Sequence, residues 1–148
     1  MNATEVAAGP ASGRTGYTHR LRGLAATGFI ATLVAMVATT LAAALAQAVG
    51  VDFVVSEGDE AIPLAGFAVV TGFFSIVGTV IAAALLRWSA RPAERFVWTA
   101  VSLTAISLVP PLASGANTAT TSALLGLHLV AATVMIPTLA RSLRTLTD

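Results

Sequence analysis

Chemistry in this chain would have to start at a histidine set inside an apolar run. His128 lies about a third of the way along Thr121–Arg141, TSALLGLHLVAATVMIPTLAR, a run long enough to cross a bilayer and closed by an arginine. No other side chain that titrates near neutral pH falls within a hydrophobic run of the chain. An ionisable group at membrane depth is costly, so by default it marks a candidate functional site. At ~1.5 Å per residue, His128 is expected roughly 10–12 Å below the outer end of its helix. Gln47, Asp52, Glu57, Asp59, Glu60 and Asn117 are expected toward the same side, with Ser102, Thr104 and Ser107 along the outer half of the preceding span. The candidate polar pocket therefore comprises His128, Gln47, Asp52, Glu57, Ser102 and Asn117. A histidine beside a carboxylate is the arrangement for a proton relay or for general acid–base work. The plain alternative is a neutral imidazole donating one hydrogen bond to a serine, a threonine or a carbonyl on a neighbouring helix.

The elements that must position these groups follow from composition. Of 148 residues, 56% are hydrophobic and only 10% charged, against roughly 25% charged in soluble domains. A span needs ~20 apolar residues, so the length accommodates four spans with short connections. The net charge of +1 gives no reason to expect a nucleic-acid partner. Cysteine is absent, which excludes disulfides, thiolate metal sites and thiol catalysis within the chain.

Residues 1–22 are rich in small and polar residues without an apolar period and are expected to form a disordered cytoplasmic tail carrying Arg14, Arg20 and Arg22. The four-span domain is expected over 23–141, with spans at about 23–49, 64–86, 96–112 and 121–141, and a second cytoplasmic tail at 142–148. Arginines before an apolar run, followed by Ala44-Leu45-Ala46, resemble a secretory signal. The run is nevertheless far longer than the 7–15 residues of such a segment, so an uncut span is expected. Small residues recur every fourth position at Ala31, Ala35, Thr39 and Ala43, and again at Thr71, Ser75, Thr79 and Ala83, faces that admit close helix approach in lipid. Residues 50–63, GVDFVVSEGDEAIP, form an acidic loop; its carboxylate spacing does not fit an EF-hand, and no metal site is assigned. Pro110-Pro111 should stop or kink the third span, and Pro137 should bend the fourth.

All eight basic residues are arginines. Three lie in the N-terminal flank, three in the loop Arg87–Arg95, and two, Arg141 and Arg144, at the C-terminal end. The other two loops have none. By the positive-inside rule both termini are cytoplasmic. Trp88 and Trp98, with Arg87, Arg95 and Arg141, are the expected membrane-interface anchors. The expected fold class is all-α, an integral membrane four-helix up-down bundle with both termini cytoplasmic, multi-pass in a bacterial cytoplasmic membrane.

Several functions are disfavoured. Haem held by two histidines needs a second intramembrane histidine, and His19 lies in the N-terminal flank. Small multidrug exporters rely on an acid in the first span, which has none here. Phosphate-loop, HExxH and GxSxG motifs are missing, and no cofactor is assigned. With Gly50-Val51-Asp52 at the first exit, Val97-Trp98-Thr99 opening the third span, and His128-Leu129 and Ile136-Pro137 in the fourth, the chain resembles the small four-span proteins of unknown function found widely in actinobacteria. The resemblance covers roughly Arg20 to Arg141; it implies topology and is silent on mechanism. Three classes stay open, and with them whether the chain is an enzyme. One is an accessory or structural membrane protein, packing against itself or a partner membrane protein through its small-residue faces. Another handles a hydrophobic small molecule in an outward cavity at His128, and the last is an oligomeric transporter or channel subunit.

Overall fold

Alanine, leucine and valine in long runs favour helix wherever lipid forbids unpaired backbone groups. The computed structural model describes residues 11–55 and 58–147. Its elements are α1 (Ala11–Ala48), a hairpin of β1 (Val54–Val55) and β2 (Gly58–Ala61), α2 (Leu64–Trp88), α3 (Pro92–Ser107), α4 (Val109–Ala113) and α5 (Thr118–Thr147). Four helical segments are long and apolar enough to cross a membrane: Gly16–Ala48, Leu64–Trp88, Pro92–Ala113 and Thr118–Thr147.

The ends of these helices have local causes. Gly50, at φ +98°, closes α1. The Val51 N–H donates to the Ala46 carbonyl and the Gly50 N–H to that of Gln47, both at 3.0 Å, the paired bonds of a Schellman motif. Pro63, extended at φ −70° and ψ 149°, precedes α2, and Pro92 opens α3 in the first-turn position where its missing N–H costs nothing. Asn117 caps α5, its Oδ1 accepting the Thr120 N–H at 2.8 Å. Between α3 and α4 the helix breaks at Leu108, which keeps α-helical angles. Pro110 and Pro111 cannot donate to the carbonyls of Ile106 and Ser107, so the break falls one turn ahead of the proline pair. The Ser107 hydroxyl turns back to the Thr104 carbonyl at 2.7 Å.

Several boundaries differ from those expected, among them the starts of α3 at Pro92 and α5 at Thr118. The first helix begins at Ala11, so residues 11–22, expected within a tail, are helical; residues 1–10 lie outside the described part. The last helix continues to Thr147 through the expected C-terminal tail. The C-terminal extension has a packing cause, since Leu143 is fully buried and Leu146 lies beside it against α1 at Leu24; the N-terminal one continues a helix already nucleated, which propagates cheaply. The acidic loop also contains a short antiparallel pair, Val54 opposite Ala61 and Val55 opposite Gly58, with an irregular register between.

α1 packs against α2 and α5, α3 against α5 and α2, and α2 approaches α5 across the middle. Consecutive spans alternate in direction. One cluster joins Leu24 of α1 to Ala82 of α2, Phe96 of α3 and Leu139 and Leu143 of α5. The other, at the opposite end, joins Ala43 of α1 and Phe67 of α2 to Leu124 and Leu127 of α5, with Phe53 of the hairpin connection. Small residues lie inside and bulky ones outside: Ala35 and Ala43 are fully buried, while Phe29, Phe73 and Phe74 are more than 60% exposed. That inversion suits a solvent as apolar as the side chains themselves, where helices associate by close packing. A soluble monomer rarely exposes so much continuous apolar surface.

Candidate functional site

His128 reaches its place on the first half of α5 as a half-buried side chain. Its Nδ1 lies 2.8 Å from the Leu124 carbonyl one turn earlier on the same helix. A carbonyl only accepts, so Nδ1 carries the proton and, in the neutral ring, Nε2 presents a lone pair. The partner is therefore the residue's own helix, where a neighbouring helix or a carboxylate was expected. The Leu124 bond is the one hydrogen bond of the imidazole among the described residues.

The other residues of the expected pocket separate. Asp52 and Asn117 do meet, in a cluster of their own at the end of the bundle away from the arginine loop. Asp52 Oδ1 accepts the Thr120 hydroxyl at 2.9 Å, and the Asn117 Nδ2 and the Val54 N–H at 3.4 Å each. These donors hold the carboxyl below its usual value of 3.8, the Thr120 hydroxyl foremost, then the Val54 N–H, with some opposing desolvation. The carboxylate also stands at the N-terminus of α5, where the helix dipole favours negative charge. Thr120 itself is fully buried, two turns above His128, about 12 Å along the axis. Gln47 is half-buried in the last turn of α1, and Ser102 is exposed on the outer face of α3. Glu57 lies outside the described residues. Among the described residues no three His, Asp or Glu side chains converge on a point where a metal ion would sit.

The small-residue ladders face each other within the chain. Ala31, Ala35, Thr39 and Ala43 are all at most 3% exposed. Thr39 and Thr71 bring their hydroxyl oxygens within 3.1 Å across α1 and α2. Higher in contact density, Gly28 sits so close to α2 that a Cβ there would lie 2.7 Å from the Thr79 hydroxyl oxygen. Serine and threonine hydroxyls elsewhere bond back to carbonyls one turn earlier, as Thr79 does to Ser75 at 3.0 Å.

At the arginine end, Trp88 and Trp98 are 77% and 69% exposed. Arg87 lies over the Tyr17 ring, 5.2 Å from its centroid, a cation–π contact hidden from the sequence because Tyr17 sat in an expected tail. Arg91 approaches Glu94 at 3.4 Å, both exposed, a pair that contributes little. A groove of about 340 Å³ opens between the start of α3 and the last turns of α5, and a second, of about 330 Å³, lies at the opposite end of the bundle beside Pro110 and Ser114. His128 lines neither.

Thr120 and Tyr17 are the contact-making residues that sequence reasoning missed. Thr120 had a signal, the Asn117-x-x-Thr120 spacing of a helix cap; Tyr17 had none short of knowing that α1 begins early. No curated protein and no solved structure matches the chain. Residues 19–145, nearly all of the bundle, match the family of unknown function DUF6069, and the chain belongs to that family.

Proposed function

We propose that the protein is an accessory or structural component of a bacterial cytoplasmic membrane, with both termini cytoplasmic, acting by association with another membrane helix. The observation that carries this is the disposition of α3. Its span has the least buried apolar window of the four, 11% against 28% for α1 and α5. Thr99 and Ser102 also stand exposed on it. A hydroxyl facing lipid gains from a partner that accepts it. The small-residue ladders support the same choice of face, since each is occupied by the other inside the monomer.

The chain has no cysteine, so single-cysteine crosslinking reads this directly. Ser102→Cys in native membranes is expected to crosslink into one discrete larger species, and Phe73→Cys on the outer face of α2 is not. A dimer-sized product identifies a second copy, and a larger one a different protein. Equal absence of product from both variants removes the association reading.

A second reading, a site for a hydrophobic small molecule, rests on Nε2 of His128, an acceptor left without a partner among the described residues. Such a ligand would carry a hydrogen-bond donor, a hydroxyl or amine. His128→Ala is expected to abolish its retention during purification while leaving membrane insertion intact; unchanged retention takes the residue out of the site.

A further inference from the structure

We propose that the groove between α3 and α5 is a binding site for the phosphate headgroup of an anionic phospholipid in the leaflet at the arginine end. The inference rests on the membrane reading above but is independent of any partner for α3. The groove is built from two elements that the bundle brings together: Arg91, Glu94, Val97 and Trp98 from the start of α3, and Arg144 and Thr147 from the last turn of α5. At about 340 Å³ it falls at the lower end of ligand-pocket sizes, ~300–1,000 Å³, a volume for a headgroup rather than a whole lipid.

Its two sides differ in the way a phospholipid does. Arg91 and Arg144 offer guanidinium forks that match phosphate oxygens; Thr147 lines the groove with its hydroxyl donated back to the Leu143 carbonyl at 2.9 Å. Val97 and the exposed indole of Trp98 continue the groove one to two turns along α3, toward the apolar body of the bundle, where acyl chains run. Glu94 also lines the groove and bonds Arg91 at 3.4 Å. That exposed pair is weak enough for a phosphate to compete with it. Arg144 makes no ion pair among the described residues. Arg95 and Arg141 lie one turn from the lining arginines and add to the local positive field without entering the groove. Basic hollows between membrane helices on the positively charged side are where lipid phosphates are held.

The test uses the full-length protein in detergent micelles with the Trp88→Phe substitution, leaving Trp98 as the sole indole, and phosphatidylglycerol with brominated acyl chains as quencher. Trp98 fluorescence is expected to be quenched at lower mole fractions by brominated phosphatidylglycerol than by brominated phosphatidylcholine. A guanidinium hydrogen-bonded directly to a phosphate oxygen is worth at least about fivefold in binding. Arg91→Gln with Arg144→Gln should therefore weaken the phosphatidylglycerol response at least about 25-fold. Arg20→Gln with Arg22→Gln, at the same end but outside the groove, should leave it nearly unchanged. Equal quenching by the two lipids, or equal losses in the two double variants, overturns the site in favour of a diffuse surface charge. Displacement of the brominated lipid by millimolar inorganic phosphate overturns the lipid assignment and leaves a free-anion site. Failure of the membrane reading itself shows separately, as a chain that stays monodisperse in buffer without detergent.

Discussion

Asp52 shows what a single residue does at the end of the bundle away from the arginine loop. Its carboxylate gathers Thr120, Asn117 and the Val54 N–H, tying the first connection to the start of α5. The donors favour the ionised form, so the folded-state pKa lies below 3.8. A depressed carboxyl contributes stability that is fully present above its unfolded value and is lost as pH falls through the folded one. Thermal stability in detergent should therefore decline on acidification below about pH 4. Asp52→Asn should start lower at neutral pH and show a shallower decline in that window, measured by melting from pH 2.5 to 7. An identical acid profile in the variant would mean that the carboxylate is a bystander. Next to it, Phe53 holds a left-handed φ of 52° while fully buried against Phe67, with centroids 4.8 Å apart. Such a conformation costs about 1–3 kcal/mol, and only packing of a large aromatic offsets it. Phe53→Ala keeps the strain and loses the packing, so it should destabilise by roughly 3 kcal/mol, seen as a lower midpoint in denaturant titration. The Phe53 geometry left no trace in the residue order. Asp52 and Asn117 were legible as polar outer-end residues, yet their meeting depends on a tertiary approach across 65 positions.

Between elements, the seam of α1 with α2 decides how tightly the bundle closes. A cross-helix hydroxyl pair such as Thr39 with Thr71 is worth about 0.6 kcal/mol in a membrane protein. The steric demand at Gly28 is larger: adding a methyl against Thr79 should cost about 1–3 kcal/mol. Gly28→Ala is therefore predicted to lower stability more than Thr39→Val does. Combining it with Thr79→Ala should recover part of the loss, because the two side chains contend for one space. Additive losses in that cycle would place the two helices farther apart than described. This seam was visible in the four-residue repeat of small side chains, because close packing in lipid selects for size. The helix break at Leu108 was legible too, since proline acts on the carbonyl four residues earlier. The early start of α1 and the late end of α5 were not. The late end of α5 comes from Leu143 and Leu146 packing beside Leu24, each an unremarkable leucine until the other helix is present.

At the level of the whole molecule, hydropathy made the four spans plain, and the outer surface confirms their logic: bulk outside, small residues within. The arginine distribution adds a direction. Ala90→Cys, in the connection between α2 and α3, and Ala113→Cys, at the end of α4, are exposed reporters at opposite ends of the bundle. In intact cells a membrane-impermeant maleimide is expected to label Ala113→Cys and to spare Ala90→Cys until the membrane is opened. The reverse pattern would invert the orientation. The candidate pocket was the least legible level. Polar residues at one depth do not share a cavity merely by depth: among those described, His128 is half-buried with its hydrogen bond on its own helix, while Ser102 is exposed.

The unequal lengths of the helices have a mechanical consequence. With 38 and 30 residues, α1 and α5 extend to ~57 and ~45 Å, against a hydrocarbon core of ~30 Å. Leu24 of α1 packs with Leu143 and Leu146 in the last turns of α5, so the first turns of α1 run on past the end of α5 as a lever. A change in bilayer thickness that tilts the spans swings the far tip of that lever sideways, converting a property of the lipid into a displacement in water.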